Sequence, residues 1–408
     1  MRLAVELYGT VLGIFEGDFR TVDFAPSREG IERFGTNSRV LSVAIPLVGS
    51  LPRHHAARRR NWFGELLPEG DQYDYLLAQG GLPKGDTPAF LARYGRDMAG
   101  ALQLWDLDDL TEPKSPQLRP VTSARVRALL EDPIGSPLAN EPEGGKSSLG
   151  GVQPKIVLVK TADGWAQALG GHPTTHILKP RLDGAKRTII YDEEYGSRLA
   201  RAIGLADFSA TISNFAGLPA LVIERYDRVN GERVHQEDLS QALGASGNEK
   251  YQEMGGVVSF RRVAEALQRY APAEDLRRLV RMVVFAVAIG NLDLHTKNIG
   301  LLHSADGDVR LAPAYDIVPQ VHQQNDGKLA LSVNGKYRHS EITRGDLHAE
   351  FTRWGLRGAR SLIQETLAEL QSAAQGELPL DGAYPVLQET VLVFIDNLLY
   401  GRPVHGHP

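Results

Sequence analysis

Cysteine is absent from all 408 residues of the sequence. Disulfide bonds, thiolate metal sites and cysteine nucleophiles are therefore excluded, and the composition fits a reducing cytoplasm. Long hydrophobic runs are absent as well, since the most apolar segment, residues 282–290, is far too short to span a bilayer. The first residues lack the apolar stretch of a signal peptide. These absences predict a cytoplasmic protein without a membrane partner.

A basic excess is also missing, because 45 Lys and Arg residues stand against 50 Asp and Glu residues, a formal net charge of -5. A chain that binds nucleic acid over its whole surface normally carries net positive charge, so direct DNA binding is not indicated. The basic run at 53–60 is more readily a solvated turn or helix end than a phosphate-binding patch. The apolar (42%) and charged (23%) fractions are those of an ordinary globular protein, long enough for two domains.

Two regions are predicted in the first part of the chain. Alternating apolar and polar residues at the N-terminus predict a β-hairpin, the pattern near residue 60 is helical, and ALQLWDL (101–107) is typical of a strand. We therefore predict a β-rich N-terminal subdomain over residues 1–107. Residues 108–145 are rich in Pro, Gly and acidic residues and are interpreted as a linker or a surface excursion, interrupted by one helix near 121–130.

A β-rich lobe followed by a helical lobe is predicted for the rest of the chain. The strand-like segments KIVLVK, THILKP, ATISNF and PALVIERY, with one helix ended by Gly204, assign residues 146–241 to a small β-rich lobe. Residues 242–408 are mainly helical, punctuated by the short strands IGLLH and VRLAP. This order is the one expected of a two-lobed kinase.

The segment NLDLHTKN, residues 291–298, places a dense polar cluster between a hydrophobic helix and an apolar strand. Polar groups between buried elements are costly unless they are hydrogen-bonded or bind something. Asp293 and Asn298 have the spacing of the catalytic Asp and the metal-binding Asn in the catalytic loop of protein kinases. Such an Asp would accept the proton of a substrate hydroxyl, and the carboxamide oxygen would hold Mg²⁺.

A predicted hairpin after this segment delivers another acidic residue. IGLLH and VRLAP lead to AYDI, where Asp316 stands in the place of the second metal-binding carboxylate of a kinase. An isolated Asp-x-x-x-x-Asn pair is common and mostly structural, but the buried helix, the hairpin and the second Asp together favour a catalytic site. His295 and Lys297 either order the loop, or Lys297 lies near the transferred phosphoryl group and offsets its negative charge.

Three segments of the small lobe suit nucleotide binding. SLGGVQPK (148–155) is not a Walker A sequence, and its paired glycines either let backbone N–H groups approach phosphates or simply form a hairpin turn. Lys179 is placed like the kinase lysine that contacts the α- and β-phosphates, with Glu194 either as its ion-pair partner or as a solvated helix charge. ERYDR (224–228) ends a strand where a kinase hinge would hydrogen-bond adenine.

Taken together, these segments resemble the HipA family, the kinase toxins of type II toxin–antitoxin modules. The matching pieces, in the order of the family, are SLGGVQPK, THILKP, LVIERYDR, HQEDLSQ, NLDLHTKN and LAPAYDI. NWFGELLPEG and YGRDMAGALQL are similar to the family's accessory subdomain. The resemblance covers nearly the whole chain, and the motifs are specific in combination although not one by one.

The resemblance implies an α+β, two-lobed eukaryotic-protein-kinase-like fold, with a β-rich N-terminal accessory subdomain and an all-α C-terminal lobe. It implies the use of ATP and Mg²⁺, with Asp293 as catalytic base and with Asn298 and Asp316 on the metal. The residues that it places in the nucleotide site are Gly150, Gly151, Val152, Gln153, Pro154, Lys155, Lys179, Glu224, Arg225, Tyr226, His295, Thr296, Lys297, Asn298, Tyr315 and Asp316.

Regulation and partners are also implied by the resemblance. Ser148 matches the serine that the family autophosphorylates, an event that expels the glycine loop and silences the kinase. A phosphate of roughly -1.5 to -2 charges would repel the phosphates of ATP from such a loop. The implied substrate is a protein of the translation machinery, notably an aminoacyl-tRNA synthetase. The implied partner is a small DNA-binding, HipB-like antitoxin, through which DNA would be reached only indirectly.

Departures from the family pattern lie outside the catalytic set. Glu193 stands where Asn is expected, and the linker differs in its Gly and Pro residues, which concerns the antitoxin interface. Two alternatives remain at this point. A small-molecule kinase of the aminoglycoside or choline type would share the Asp-to-Asn spacing but needs an acidic substrate cleft. A non-catalytic binding module that grips the antitoxin would have kept the fold, but Asp293, Asn298, Asp316 and Lys179 are all intact.

Overall fold

The computed structural model describes residues 1–132, 135–140, 144–150 and 153–405. This part of the chain divides into two compact units. Apart from the gaps just given, the first unit consists of residues 1–180, 213–237 and 302–308, and the second of residues 181–212, 238–301 and 309–408. The domain limits predicted after residues 107, 145 and 241 concern a finer division and stay predictions.

An antiparallel four-stranded sheet begins the first unit. Its strands are β1 (Arg2–Leu7), β2 (Thr10–Glu16), β3 (Asp23–Pro26) and β4 (Gln103–Asp106). They lie in the order β3-β2-β1-β4. The turn between β1 and β2 consists of Tyr8 and Gly9, whose φ angles of 51° and 73° are those of a hairpin turn that matches strand twist. The predicted N-terminal hairpin is confirmed.

Four helices pack with this sheet around one apolar core. They are α1 (Arg28–Phe34), α2 (Ala56–Gly64), α3 (Gly70–Gly80) and α4 (Thr87–Tyr94). The Phe63 ring, on the predicted helix near residue 60, stacks on Phe15 with ring centroids 4.2 Å apart. The Trp62 indole N–H donates to the buried Glu237 carboxylate at 2.8 Å.

A second sheet of the first unit has six strands in the order β5-β7-β6-β8-β10-β9. These are β5 (Gln117–Val121), β6 (Ile156–Thr161), β7 (Gly164–Leu169), β8 (His176–Pro180), β9 (Ala210–Phe215) and β10 (Leu218–Glu224), and α5 (Ser123–Glu131) follows β5. β5 lies inside the segment interpreted as a linker. Its side chains are almost all exposed, so it lacks the alternation that identifies a strand in a sequence.

The second unit is mainly helical. Its helices are α6 (Ile189–Ala202), α7 (Leu239–Leu243), α8 (Phe260–Tyr270), α9 (Ala273–Ile289), α10 (Arg344–Arg353), α11 (Ala359–Gly376) and α12 (Leu387–Leu399). α9 is buried along most of its length and packs against α8, α11 and α12. No helix in the described ranges is long and apolar enough to cross a membrane.

Short strands, divided between the two units, complete the fold. They are β11 (Arg228–Val229), β12 (Glu232–Arg233), β13 (His235–Asp238), β14 (Gly300–His303), β15 (Val309–Leu311), β16 (Lys328–Val333) and β17 (Lys336–Arg338). A β-rich first part and a helical last part are as predicted, and the hairpin formed by β16 and β17 adds a strand pair that the sequence did not reveal.

Candidate active site

The catalytic loop begins where α9 ends. Gly290 adopts the left-handed conformation (φ 73°), and its N–H caps the helix by donating to the carbonyls of Ala286 and Val287. A Cβ at this position would lie 2.7 Å from a methyl group of Val321, so glycine is required by space as well as by φ. The chain leaves a buried helix through this turn and emerges at Asp293, whose side chain is 38% exposed.

The loop brings the predicted catalytic base, Asp293, and the predicted metal ligand Asn298 together. The Asn298 side-chain amide donates to the Asp293 carbonyl at 2.9 Å. The His295 N–H donates to the same carbonyl at 2.8 Å, and the Asn298 N–H donates to the His295 carbonyl at 2.9 Å. Because the amide nitrogen of Asn298 is held by this bond, its carboxamide oxygen is presented as an acceptor on the other side. Asp293 and Asn298, five positions apart in the sequence, are thus joined in a single hydrogen-bonded turn.

Two aromatic neighbours contact Asp293. The Tyr251 hydroxyl donates to Asp293 Oδ1 at 3.2 Å, and His295 Nε2 lies 3.8 Å from the same oxygen. The rings of Tyr251 and His295 meet edge to face with centroids 5.3 Å apart. Together they fix the orientation of the carboxylate. Tyr251 was missed in the sequence because it belongs to an irregular segment distant along the chain, without a motif of its own.

Asp316 is held in a restricted conformation after β15. Its φ angle of 54° lies in the left-handed region, which side chains other than glycine rarely occupy and which occurs preferentially at functional sites. The neighbouring Tyr315 hydroxyl donates to the Lys297 carbonyl at 2.8 Å, which ties this segment to the catalytic loop. Asp275, fully buried at the start of α9, accepts from the Leu311 N–H at 3.0 Å and anchors β15.

The donor atoms fit the magnesium that the family implies. Asn298 and Asp316 offer a carboxamide oxygen and a carboxylate, the hard oxygen ligands that Mg²⁺ prefers. No group of three or more His, Cys, Asp or Glu side chains suited to a metal occurs among the described residues. Mg²⁺ is commonly held by one or two carboxylates together with substrate phosphates and waters, so a sparse donor set is appropriate.

Helix α6 brings three buried acidic residues to the second unit. Asp192 accepts from His322 Nε2 at 3.0 Å and from the Tyr384 N–H at 2.8 Å. Glu194 accepts from Arg198 Nε at 2.7 Å, and Glu193 is also buried. Glu194 is therefore not the solvated helix charge considered as one of its two interpretations.

Gly196 allows α6 to approach the segment after Asp316 closely. A Cβ on Gly196 would lie 2.7 Å from the Ile317 carbonyl oxygen and 3.3 Å from Pro319 Cδ. A side chain at this position would therefore force the helix and the Asp316 segment apart.

The predicted nucleotide-site residues of the first unit lie on the six-stranded sheet and beside it. Lys179 is buried on β8 opposite Leu221 of β10. The Lys155 ammonium donates to the Gly150 carbonyl, and Gln153 and Pro154 precede β6. Gly151 and Val152 lie outside the described residues.

Ser148, the predicted phosphorylation site, is completely buried (0% exposed). Its N–H donates to the Asp97 carbonyl at 2.9 Å, while its hydroxyl has no hydrogen-bond partner among the described residues. A buried hydroxyl without a partner is costly. This segment therefore contains a polar group that no described residue stabilises by a hydrogen bond.

The predicted hinge residues follow β10, which ends at Glu224. The Arg225 N–H donates to the Thr175 carbonyl at 2.9 Å, and the Arg225 guanidinium is buried against the Asp227 carboxylate at 2.7–2.9 Å. The Tyr226 hydroxyl is hydrogen-bonded to the Gln236 side chain. The structure thus gives Arg225 a side-chain contact that the hinge prediction did not include.

A buried charge network surrounds Asp97. Its carboxylate accepts from the Thr174 hydroxyl at 2.7 Å, the Ser147 hydroxyl at 3.1 Å and the Arg228 guanidinium at 3.0 Å. Burial alone would raise the pKa of Asp97, but the attraction of the nearby guanidiniums, Arg225 first, outweighs burial and lowers it. Burial, with repulsion from Arg225, lowers the pKa of Arg228 to about 10. Near neutral pH, both groups are therefore charged.

Known proteins with similar sequences and structures match this chain over most of their length. Residues 147–375 match the family model of the HipA-like C-terminal domain, and residues 3–105 match that of the HipA N-terminal domain. A Sinorhizobium fredii protein named as a kinase, Y4mE, is 35% identical over 73% of this chain and 74% of its own. The serine/threonine-protein kinase toxin HipA of Shewanella oneidensis is 30% identical over 81% of this chain and 78% of its own.

A solved structure agrees with these matches. A chain of the complex of HipA, HipB and operator DNA from Shewanella oneidensis superposes with a TM-score of 0.78 and 26% identity, covering 98% of this chain and 96% of that one. Fold and relatives together define a protein kinase. The chain belongs to the HipA family of serine/threonine kinase toxins, as its combined motifs predicted.

Proposed function

We propose that the protein is the ATP- and Mg²⁺-dependent serine/threonine kinase toxin of a toxin–antitoxin module, with Asp293 as its catalytic base. The observation that carries the assignment is the turn in which the Asn298 amide is bonded to the Asp293 carbonyl. It places a carboxylate and a carboxamide oxygen on one rigid loop, the two groups that phosphoryl transfer from ATP to a hydroxyl requires.

The proposed reaction transfers the γ-phosphoryl group of ATP to a serine or threonine hydroxyl. Asp293, oriented by Tyr251 and His295, accepts the hydroxyl proton while the oxygen bonds to the γ-phosphorus. The bond between that phosphorus and the bridging oxygen of the β-phosphate breaks, and ADP leaves. Asn298 and Asp316 would hold Mg²⁺, which offsets the charge on the phosphates when it is bound. Lys179 is assigned to the α- and β-phosphates.

Ser148 is proposed as the site of self-phosphorylation that silences the kinase. In the structure its hydroxyl is buried and has no hydrogen-bond partner among the described residues, so it must leave this position before it can receive a phosphate. A phosphate group of about -1.5 to -2 charges could not return to so enclosed a position without a large cost of burying its charge. Phosphorylation would therefore hold the segment in its displaced position, away from ATP.

The proposed partners follow from the relatives. Since the similar Shewanella oneidensis chain is found in a complex with HipB and operator DNA, we assign this chain a small DNA-binding, HipB-like antitoxin. DNA would be reached only indirectly, through that antitoxin, which is consistent with the net charge of -5. An aminoacyl-tRNA synthetase in the cytoplasm is the proposed protein substrate.

Intact-mass spectrometry after incubation with Mg²⁺ and ATP tests the proposal. Wild-type protein, first freed of phosphate, should gain the mass of one or more phosphates, with Ser148 as a modified residue in the peptide map. Asp293→Ala should label roughly 10²- to 10⁴-fold more slowly. Asp207→Ala, at an exposed loop position of the same unit, is the matched control and should behave as wild type.

The remaining outcomes separate the alternatives. Equal labelling of the Asp293→Ala protein would remove Asp293 from the mechanism. Wild-type protein that labels neither itself nor any protein, but consumes ATP with an aminoglycoside or choline, would be a small-molecule kinase. Protein that binds an antitoxin but transfers no phosphate would be a non-catalytic module.

A further inference from the structure

A cavity of about 300 Å³ lies directly beside the catalytic base, and Asp293 is one of its walls. Tyr251, which orients the base, forms part of the same wall. The cavity is built entirely from the second unit: from the segment after α7, the catalytic loop, the segment before β16 and β16 itself. A substrate hydroxyl bonded to Asp293 would therefore have this cavity next to it.

The floor of the cavity is apolar. Leu292, Leu329 and Ala330 are buried there, and Met254 stands at its edge with 56% of its surface exposed. An exposed methionine is a flexible apolar group that adapts to different side chains. The floor therefore suits the methylene groups of an incoming side chain.

The charged groups of the cavity are mainly acidic. The Lys328 ammonium is bonded to both oxygens of Glu253, at 3.0 and 2.9 Å, so these two charges cancel. Apart from Tyr251, the remaining ionisable groups that line the cavity are the carboxylates of Asp293 and Asp326. Asp326 is exposed, and among the described residues its carboxylate accepts one hydrogen bond, from the Lys328 N–H to Oδ1 at 3.0 Å. The cavity thus combines an apolar floor with an uncompensated carboxylate.

We propose that this cavity is the subsite for a lysine or arginine side chain of the protein substrate, close in sequence to the serine or threonine that is phosphorylated. The inference rests on the proposed function and adds to it the chemistry by which the substrate is selected. The aliphatic stem of the basic residue packs on Leu292, Leu329 and Met254, and its charged end reaches Asp326. Long basic side chains combine these two properties, since they bury their stems and keep their charges in water.

The two substrate residues are expected to be close in sequence. Asp293 and Asp326 line the same cavity, and an extended chain advances about 3.3–3.6 Å per residue, so a basic residue that reaches Asp326 lies within a few positions of the phosphorylated one. An acidic side chain would meet two like charges there, and a purely apolar one would leave Asp326 facing an apolar group.

The test uses synthetic peptides with one serine in an Ala-Gly background. Lysine or glutamate is placed at each neighbouring position in turn, and kcat/KM is measured from transfer of labelled phosphate. The best lysine peptide should exceed its glutamate counterpart by about tenfold, because exposed ion pairs are individually weak and a change of charge sign counts attraction and repulsion together. The protein used is the full chain freed of phosphate.

Charge reversal in the cavity provides the decisive comparison. Asp326→Lys should lose the preference for lysine and gain activity on the glutamate peptide, a gain that a misfolded protein could not show. Asp207→Lys makes the same charge change on the exposed loop between α6 and β9 and should keep the wild-type preference.

Three results would overturn the subsite. The first is wild-type protein that labels itself but accepts lysine and glutamate peptides equally or not at all, which leaves the kinase assignment intact. The second is an Asp326→Lys protein with an unchanged preference. The third is wild-type protein that labels neither itself nor any peptide, which removes the proposed function and the subsite with it.

Discussion

Replacing Asp97 with alanine is expected to release the segment that carries Ser148. The Asp97 carboxylate accepts hydrogen bonds from Thr174 at 2.7 Å, Ser147 at 3.1 Å and Arg228 at 3.0 Å. All three bonds end on a charged carboxylate, and a hydrogen bond to a charged group contributes about 1.5–3 kcal/mol. Because removing one partner from a buried ion pair typically costs ~3–5 kcal/mol in total, we expect a loss of that size for the network.

Hydrogen exchange measures this loss where it should occur. The Ser148 N–H donates to the Asp97 carbonyl, so its exchange reports directly on opening of the segment. If about 3 kcal/mol of the loss falls on this segment, the amide should exchange about 10²-fold faster in Asp97→Ala than in wild type. Asp163→Ala, in the exposed turn between β6 and β7, is the control and should leave this amide unchanged. The same Asp97→Ala protein should also phosphorylate its own Ser148 faster than the wild-type protein does.

The reasoning also fixes a pH dependence. The pKa of Asp97 in the folded protein is below its unfolded value of about 3.9, so its stabilisation is complete above about pH 4 and is lost as the pH falls further. Asp97 should therefore cause no change between pH 7 and pH 5 in the exchange protection of the Ser148 amide, once the intrinsic exchange rate is corrected for. Equal exchange in Asp97→Ala and wild type would refute the network as the anchor of the segment.

Three further predictions concern other parts of the molecule. Asp316→Ala should weaken Mg²⁺-dependent ATP binding at least tenfold in a calorimetric titration while leaving metal-free binding unchanged; an unchanged titration would remove it from the metal. Glu237→Gln should lower the free energy of unfolding by about 1–3 kcal/mol in thermal melts, because the new amide N–H₂ would face hydrogen-bond donors that include the Trp62 indole. The control Glu131→Gln, at an exposed position, should leave the free energy of unfolding unchanged. Burial lowers the pKa of His235 to about 3 and that of His339 to about 4. Below pH ~6.5 the unfolded chain therefore binds more protons at these two histidines than the folded protein does. The urea midpoint should therefore fall between pH 7 and pH 5, and a flat profile would contradict their burial as neutral groups.

The turn from Asp293 to Asn298 could be predicted because its signal is local. Asp293 and Asn298 are separated by a short turn, and the hydrophobic pattern of α9 fixes where that turn begins. Tyr251 could not be predicted, since only tertiary folding brings its hydroxyl to Asp293. The anchoring role of Asp97 is hidden for the same reason. Its partners come from three separate segments, and a buried Asp in a sequence is indistinguishable from an exposed one.

The fold shows the same division between local and tertiary signals. Strands with one buried face, such as β1, are visible as alternating residues, and α9 is visible as a long apolar helix. β5 is invisible because it lies at the edge of its sheet with almost all its side chains in water. Its backbone pairing with β7 determines that it is a strand, and backbone pairing leaves no pattern in side chains.

Gly196 has a consequence for how the kinase could be controlled. Glycine inside a helix is less stable than alanine by about 0.5–1 kcal/mol, a cost that α6 bears so that its backbone can touch the Ile317 carbonyl. With no side chain between them, the helix and the segment that follows Asp316 cannot shift independently. A molecule that displaces α6 is therefore expected to move Asp316, the proposed metal ligand, as well. Such a molecule would then alter phosphoryl transfer without contacting Asp316 itself.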